Sequence, residues 1–329
     1  MSDAKRQQHG WLILDKPRGL GSTQAVGMVK RVLRQGGYPR TKVGHGGTLD
    51  PLAQGVLPIA LGEATKLAGR MLDASKVYDF TLRFGEETST LDTEGEVIAS
   101  SAVRPREPDV ARSLELFMGP IEQIPPAYSA IRIDGRRAYD RARAGEAVEM
   151  KTRAVEIFSL EVRHSRGGGG PGDSPADIAA LEPGPCRGGG LNEVTLRAHV
   201  SKGTYIRSLA RDIAHVLGTV GHVTYLRRIK AGPFHAEQAI SLDNLDEVAK
   251  GAPLEHLILP LEAGLDDIPA LPLDPDSAQA VRQGRVMSDL PQADGLHLAT
   301  LHDVPVALVE LEGGTARVVR GFNLPDVAE

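Results

Sequence analysis

Along the 329-residue chain the apolar positions follow two periods, one of strands and one of helices. Trp11–Leu14 is a short unbroken apolar run, which predicts a buried strand. Ser22 or Thr23 is placed to cap a helix running to about Arg34, with Val26, Val29, Val32 and Leu33 as its stripe. Val56–Leu61 predicts a strand, Glu63–Leu72 a helix, and Val77–Phe84 a strand with Tyr78, Phe80 and Leu82 on one face. The polar, acidic stretch 85–96 reads as a loop before a strand at Val97–Ser100. Pro108 opens a helix to about Met118, and residues 125–130 lead into a strand that ends at Asp134-Gly135. A basic helix, Arg136–Ala144, follows, with Gly145 as its stop. Ala154–Val162 and Val194–Val200 predict strands, Thr204–Leu217 a helix, Val223–Ile229 a strand and Leu242–Ala249 a short helix. From about Asp266 the texture changes to Pro-rich connections, a helix at Asp276–Arg282 and strands at Leu296–Leu301, Val304–Leu311 and Thr315–Val319.

Between two of these strands, residues 165–190 are rich in Gly and Pro and cannot bury a core, which predicts a disordered insertion. The pattern as a whole predicts an α+β body over 1–262 and a small β-rich module over 263–329. The single cysteine, Cys186, lies in the insertion, which excludes an internal disulfide and a Cys-based zinc site and fits a reducing compartment. No run is long enough for a signal peptide or a membrane span, so a cytoplasmic protein is expected. The net charge of −5 hides an asymmetry: residues 241–329 carry 5 basic and 16 acidic side chains, the rest 33 and 27. A basic body is compatible with a polyanionic partner, although an excess of this size also serves plain solvation.

The richest stretch is Val43–Lys66, VGHGGTLDPLAQGVLPIALGEATK. Its glycines mark backbone that turns sharply or approaches something closely. Asp50, held between that loop and Pro51, is either a helix cap or a deliberately presented carboxylate. The glycine spacing fits neither a P-loop nor a dinucleotide fingerprint. In VSKGTYIR, Lys202, Tyr205 and Arg207 enter a helix, as a plain turn or as an anion-facing one. The strand Tyr225–Lys230 carries Arg227 and Arg228, which reads as an RNA face or as a solvated edge. Arg136, Arg137, Arg141 and Arg143 form the best candidate phosphate-contacting patch.

Five blocks in order resemble the TruB family, the bacterial tRNA pseudouridine-55 synthases: LDKPRGLGS, GHGGTLDPLAQGVLPIALGEATK, KVYDFTLRFGEETSTLDTEGE, PPAYSAIRIDGRRAYDRARAG, and SKGTYIRSLARDI with HVTYLRRI. Gly46 stands where the family commonly has Thr, and 165–190 is an addition. The resemblance implies a pseudouridine synthase fold, a mixed and largely antiparallel sheet with flanking helices, and a PUA-like C-terminal domain. It implies Asp50 as the catalytic aspartate, Tyr78 as the active-site tyrosine and Arg207 as the partner of the aspartate. His45, Tyr205 and Leu226 match positions that contact RNA or wall the uracil pocket, and Lys16 matches the lysine of the LDKP motif, in a supporting role. Lys202, at the strand–helix junction, is an expected substrate contact. The implied partner is the tRNA T-arm, bound by a monomer.

Such a reaction breaks a C–N glycosidic bond, turns the uracil and rejoins it through carbon. It involves no redox change and no net hydrolysis, so no cofactor or metal is expected. It needs a carboxylate in a dry pocket, acting at C1′, at C6 or as a base, and the sequence leaves these three open. It also needs the target base out of its stack, and His45 suits bracing of the gap. Two rival readings are a non-catalytic RNA-binding or tRNA-folding protein on the same scaffold and an Asp-dependent glycosidase. The latter needs a second carboxylate paired with Asp50.

Overall fold

In the computed structural model, which describes residues 6–129, 131–133, 135–146, 149–163 and 190–324, the chain opens with β1 (Gly10–Lys16), α1 (Ser22–Gln35) and a short β2 (Val43–His45). Strand β3 (Gln54–Leu61) runs through a 3-10 turn at Gly62–Leu67 into α2 (Ala68–Asp73). Then come β4 (Lys76–Phe84), the hairpin β5 (Glu86–Thr88) and β6 (Val97–Ser100), α3 (Glu107–Leu114) and β7 (Gly119–Gln123). The small hairpin β8 (Arg132–Ile133) and β9 (Arg136–Arg137) leads to α4 (Ala138–Arg143). The body continues with β10 (Arg153–Val162), β11 (Glu193–Val200), α5 (Ile206–Val216), β12 (Gly221–Ala231), β13 (Phe234–His235) and α6 (Leu242–Ala249). The chain ends with β14 (Ala270–Pro272), α7 (Pro275–Arg282), β15 (Gly295–Leu301), β16 (Val304–Glu312) and β17 (Thr315–Gly321).

One mixed sheet organises the body, in the order β1-β3-β12-β4-β11-β10-β7, with β2 on β3 and β13 on β12. All its pairings are antiparallel except that of β12 with β3, which joins only Arg227 to Gln54 and Arg228 to Gly55. Gly55 is required there: its φ is +99°, and a Cβ would lie 2.2 Å from the carbonyl oxygen of Arg228. The strands' period of two separates the faces. On one face Leu12, Leu14, Phe80, Leu82 and Leu196 pack against the stripes of α1 (Val26, Val29, Leu33), α5 (Leu209, Ile213) and α6 (Leu245, Val248). The other face carries buried polar pairs, among them Asp79 with Arg197 at 2.7 Å and Asp15 with Arg227 at 2.9 Å. Beside them Trp11, Ile13 and Phe234 form a second cluster with Leu298, Leu308 and Phe322 of the C-terminal module.

The C-terminal module is a four-stranded sheet, β14-β15-β16-β17, with α7 packed on it through Ala278 and Val281. Among the described residues no helix is long and apolar enough to cross a membrane.

Several expectations are corrected by tertiary context. Ser22 does not cap α1; Gly21 takes that position, its N–H donating to Gln24 Oε1 at 2.8 Å, and Ser22 is buried against another loop. The helix expected at Glu63–Leu72 is a 3-10 turn for its first half. The loop 85–96 contains a strand, because Glu86–Thr88 pairs with β6. Ile133 pairs with Arg136, so Arg136 and Arg137 are strand residues and the basic helix shrinks to Ala138–Arg143. Arg227 and Arg228 are buried rather than solvated. The expected insertion 165–190, with Cys186, lies outside the described residues apart from Gly190. Its flanking strands pair antiparallel, with Val162 opposite Leu196.

Candidate active site

The loop from Gly46 to Ala53 joins β2 to β3 and presents Asp50 beside the end of α5. Arg207, in the first turn of that helix, is buried, with a side chain 5% exposed, yet it carries a permanent charge. Its guanidinium is held from several sides. One terminal nitrogen meets Asp50 Oδ2 at 2.8 Å, and the other meets the buried Asp92 Oδ2 at 3.2 Å. The same two nitrogens donate to the carbonyl oxygens of Tyr128, at 3.0 Å, and Thr90, at 2.8 Å. Asp50 remains 38% exposed while Asp92 is 3% exposed, so the arginine bridges a carboxylate that a substrate can reach and one that it cannot.

Asp92 is in turn fixed by Thr90 Oγ1 and by the backbone N–H of Glu94, which both donate to its Oδ1. Next to it Leu91 sits in the left-handed region, at φ +63°, which is strained for a large side chain. That turn aims the Asp92 carboxylate at Arg207. Sequence reasoning overlooked Asp92 because it lies in a polar stretch without periodicity, where one acidic residue looks like any other.

Asp50, Tyr78, Tyr205, Arg207 and Leu226 line one open cavity of about 400 Å³, within the usual range for small-ligand sites. Tyr78 on β4 stands opposite Arg228 on β12 and Ala198 on β11, and Leu226 stands opposite Phe80. These register pairs place Tyr78 and Leu226 on the same face of the sheet. Burial pushes the Tyr205 hydroxyl above the ordinary tyrosine range. Its backbone N–H donates to Gln123 Oε1 at 2.8 Å.

Three expected site residues lie outside the cavity lining. His45 is half-buried on β2; burial, with Arg228 as a lesser cause, holds its imidazole below the usual range. Lys202 is exposed and pairs with Asp73 at 2.8 Å. Lys16 is fully buried, and its ammonium donates to the carbonyl oxygens of Pro17, Leu20 and Pro51. Burial lowers it to about 8, against the opposing pull of Asp50. Two further buried cations, beside the exposed Arg153, border the cavity that sequence reasoning left out of the site. The Lys76 ammonium donates to Leu72 and Ala74 carbonyl oxygens and is lowered to about 8 by burial, with Arg228 adding to the effect. Arg228 is the other. Both are residues of ordinary-looking strands, and only the sheet register turns them inward. Among the described residues no three His, Cys, Asp or Glu side chains gather into a metal site.

The sheet and its C-terminal module form a pseudouridine synthase fold. Solved structures of an H/ACA RNP bound to a substrate RNA containing 2′-deoxyuridine and of the archaeal box H/ACA sRNP Nop10-Cbf5 complex share it, with TM-scores of 0.67 and 0.66 over 97% of this chain and 86% and 88% of theirs, at 24% and 23% identity. Within that class, the model of the TruB family pseudouridylate synthase N-terminal domain matches residues 30–206, and that of the tRNA pseudouridylate synthase B C-terminal domain matches residues 207–266. The chain belongs to the TruB family of pseudouridylate synthases. It is 62% identical to tRNA pseudouridine synthase B of Novosphingobium aromaticivorans, over 97% of this chain and 99% of the relative. To the protein of the same name from Zymomonas mobilis it is 54% identical, over 96% of each.

Proposed function

We propose that the protein converts uridine 55 in the T-loop of tRNA to pseudouridine, in the cytoplasm and as a monomer. The observation that carries this reading is the 2.8 Å contact between the buried Arg207 and the accessible Asp50 at the cavity wall. The names of the TruB-family relatives support tRNA as the substrate. In this reading a flipped uridine enters the cavity, stacks on Tyr78 and is walled by Leu226 and Tyr205. The C1′–N1 bond breaks, the uracil turns within the cavity, and a C1′–C5 bond forms. The C5 proton is then lost to a base and N1 is protonated, so atoms and charge balance. Asp50 is the reacting carboxylate, and Arg207, anchored by Asp92, holds it in one orientation.

His45, Lys202 and Lys16 lie around the cavity rather than in it, and act on the RNA or on the loop. Residues 1–262 form the catalytic unit, and 263–329 a PUA-like module that supports RNA docking.

The decisive experiment is tritium release from a T-arm stem-loop that carries 5-tritiated uridine. Wild type releases tritium, and Asp50→Asn releases none while its affinity for the stem-loop stays near wild type. Release by both proteins, or loss of affinity in the variant, would remove Asp50 from the reacting position.

A further inference from the structure

The backbone that carries Asp50 is restrained at every residue from 47 to 51. The carbonyl oxygens of Gly47 and Thr48 accept from the two terminal nitrogens of Arg228, at 3.4 and 3.3 Å. At Leu49 the Ser22 hydroxyl does double duty: it accepts from the N–H at 2.8 Å and donates to the carbonyl oxygen at 2.9 Å. The Asp50 carbonyl oxygen accepts from Ala53 N–H at 3.1 Å, and that of Pro51 from Gly19 N–H at 2.7 Å. A loop that carries Gly46, Gly47 and an Asp-Pro step is ordinarily mobile; in this one every carbonyl oxygen from 47 to 51 accepts a hydrogen bond.

Arg228 is the unusual member. It is 1% exposed, and its guanidinium donates only to backbone carbonyl oxygens, the third being Val56 at 2.8 Å. No carboxylate of the described residues pairs with it. A buried charge without a counter-charge is costly, and a core position opposite Tyr78 on a central strand could hold a leucine instead. What a guanidinium supplies and a leucine does not is a rigid fork of donors that reaches Val56 on β3 and the Gly47–Thr48 turn at once. The strand thereby sets where the loop stands, and Ser22 sets it from the side of α1.

We propose that Arg228 and Ser22 are positioning residues, which fix the loop 47–51 so that the Asp50 carboxylate meets Arg207 and the reacting nucleoside in a single geometry. The inference rests on Asp50 being the reacting carboxylate, and deepens that reading. A nucleophile or base displaced by about 1 Å loses on the order of 10²-fold in rate while substrate affinity is kept. Restraint of this loop therefore belongs in kcat and not in KM.

The test uses the full chain with Arg228→Met, Arg228→Lys and Ser22→Ala. It reads single-turnover rate and KM by tritium release, stem-loop affinity, and amide hydrogen exchange over residues 46–53. Expected are a fall in rate on the order of 10²-fold for Arg228→Met, a smaller fall for Arg228→Lys, which keeps a charged donor, and a fall for Ser22→Ala. Affinity and KM stay unchanged, and exchange over the loop accelerates. Should Arg228→Met fail to fold, Arg228→Lys and Ser22→Ala carry the same expectation. Wild-type rates with unchanged exchange in the folded variants would overturn the proposal, as would an effect confined to KM. If wild type itself released no tritium, the functional reading would fall, and the exchange data alone would still decide whether these side chains hold the loop.

Discussion

At the scale of single residues, the site is a chain of charges of decreasing exposure, from Asp50 through Arg207 to Asp92. Removing the buried end is predicted to disturb the exposed one. Asp92→Asn leaves the buried Arg207 with Asp50, itself partly exposed, as its remaining carboxylate partner, a loss of roughly 1–3 kcal/mol of stability. Denaturant unfolding measures that loss, and single-turnover kinetics should show turnover falling with it, because Arg207 no longer has a fixed anchor. Lys76 offers a test with a defined sign. Its ammonium, lowered by burial to about 8 from 10.5, binds a proton less tightly in the folded state than in the unfolded one. Its unfavourable contribution is therefore fully present below pH 8 and is relieved as pH rises from 8 toward 10.5. The stability of wild type relative to Lys76→Met should increase across that window, as followed by melting temperature against pH. A flat difference would mean that Lys76 is not desolvated. At Gly46, where the resemblance implies Thr, a Cβ would lie 2.7 Å from the Cβ of Met71, so the space is already filled.

At the scale of elements, the basic segment 131–146 is less positive than its arginines suggest. Glu146 accepts from Arg136 at 2.9 Å and from Arg141 at 2.8 Å, and Arg143 lies over the Tyr139 ring at 4.8 Å. The side chain of Arg137 is outside the described residues. If this segment meets RNA phosphates, Glu146→Gln should tighten stem-loop binding and steepen its dependence on salt, since two arginines lose their shared counter-charge. Titrations at several salt concentrations measure the slope, and an unchanged slope would move the phosphate-contacting face elsewhere. The same elements show where periodicity is informative. β1, β3, β4, β10, β11 and β12 were legible to within a few residues, because each buries a continuous or alternating apolar set. β2, β7, β13 and β14 were not. They are short and carry no repeat, and exist because a longer strand offers them a hydrogen-bonding edge.

At the scale of the whole molecule, the C-terminal module is joined to the body by packing as well as by chain. Phe322, Leu298 and Leu308 share a cluster with Trp11, Ile13 and Phe234, Lys66 Nζ donates to the Gly321 carbonyl oxygen at 2.9 Å, and Asn323 N–H donates to Glu63 Oε2 at 2.7 Å. Phe322→Ala is predicted to cost about 3 kcal/mol, by opening a cavity at that junction. Calorimetry should show the melting of the whole protein displaced downward. Unfolding of the module alone, with the body unaffected, would show that the junction is not cooperative.

What the sequence determined by itself was the set of long elements, the change of texture near residue 266, and the family, because five blocks of unusual residues stand in one order. Asp50 and Arg207 stand out as candidates because Gly, Pro and charged residues at loop junctions leave a local signature, whereas Tyr78, inside β4, is a candidate through the resemblance of its block alone. Tertiary structure alone decided which buried charges serve the site. Asp92, Lys76 and Arg228 come from three separate segments whose side chains look like solvated charges in one dimension, and the sheet register and the turn at Leu91 bring them inward. Ser22 looked like a helix cap and is a loop brace instead, since the hydroxyl that could satisfy its own helix finds Leu49 across the core. Local pattern records how a segment meets solvent on average; which partner a polar atom finds once water is excluded depends on segments far along the chain.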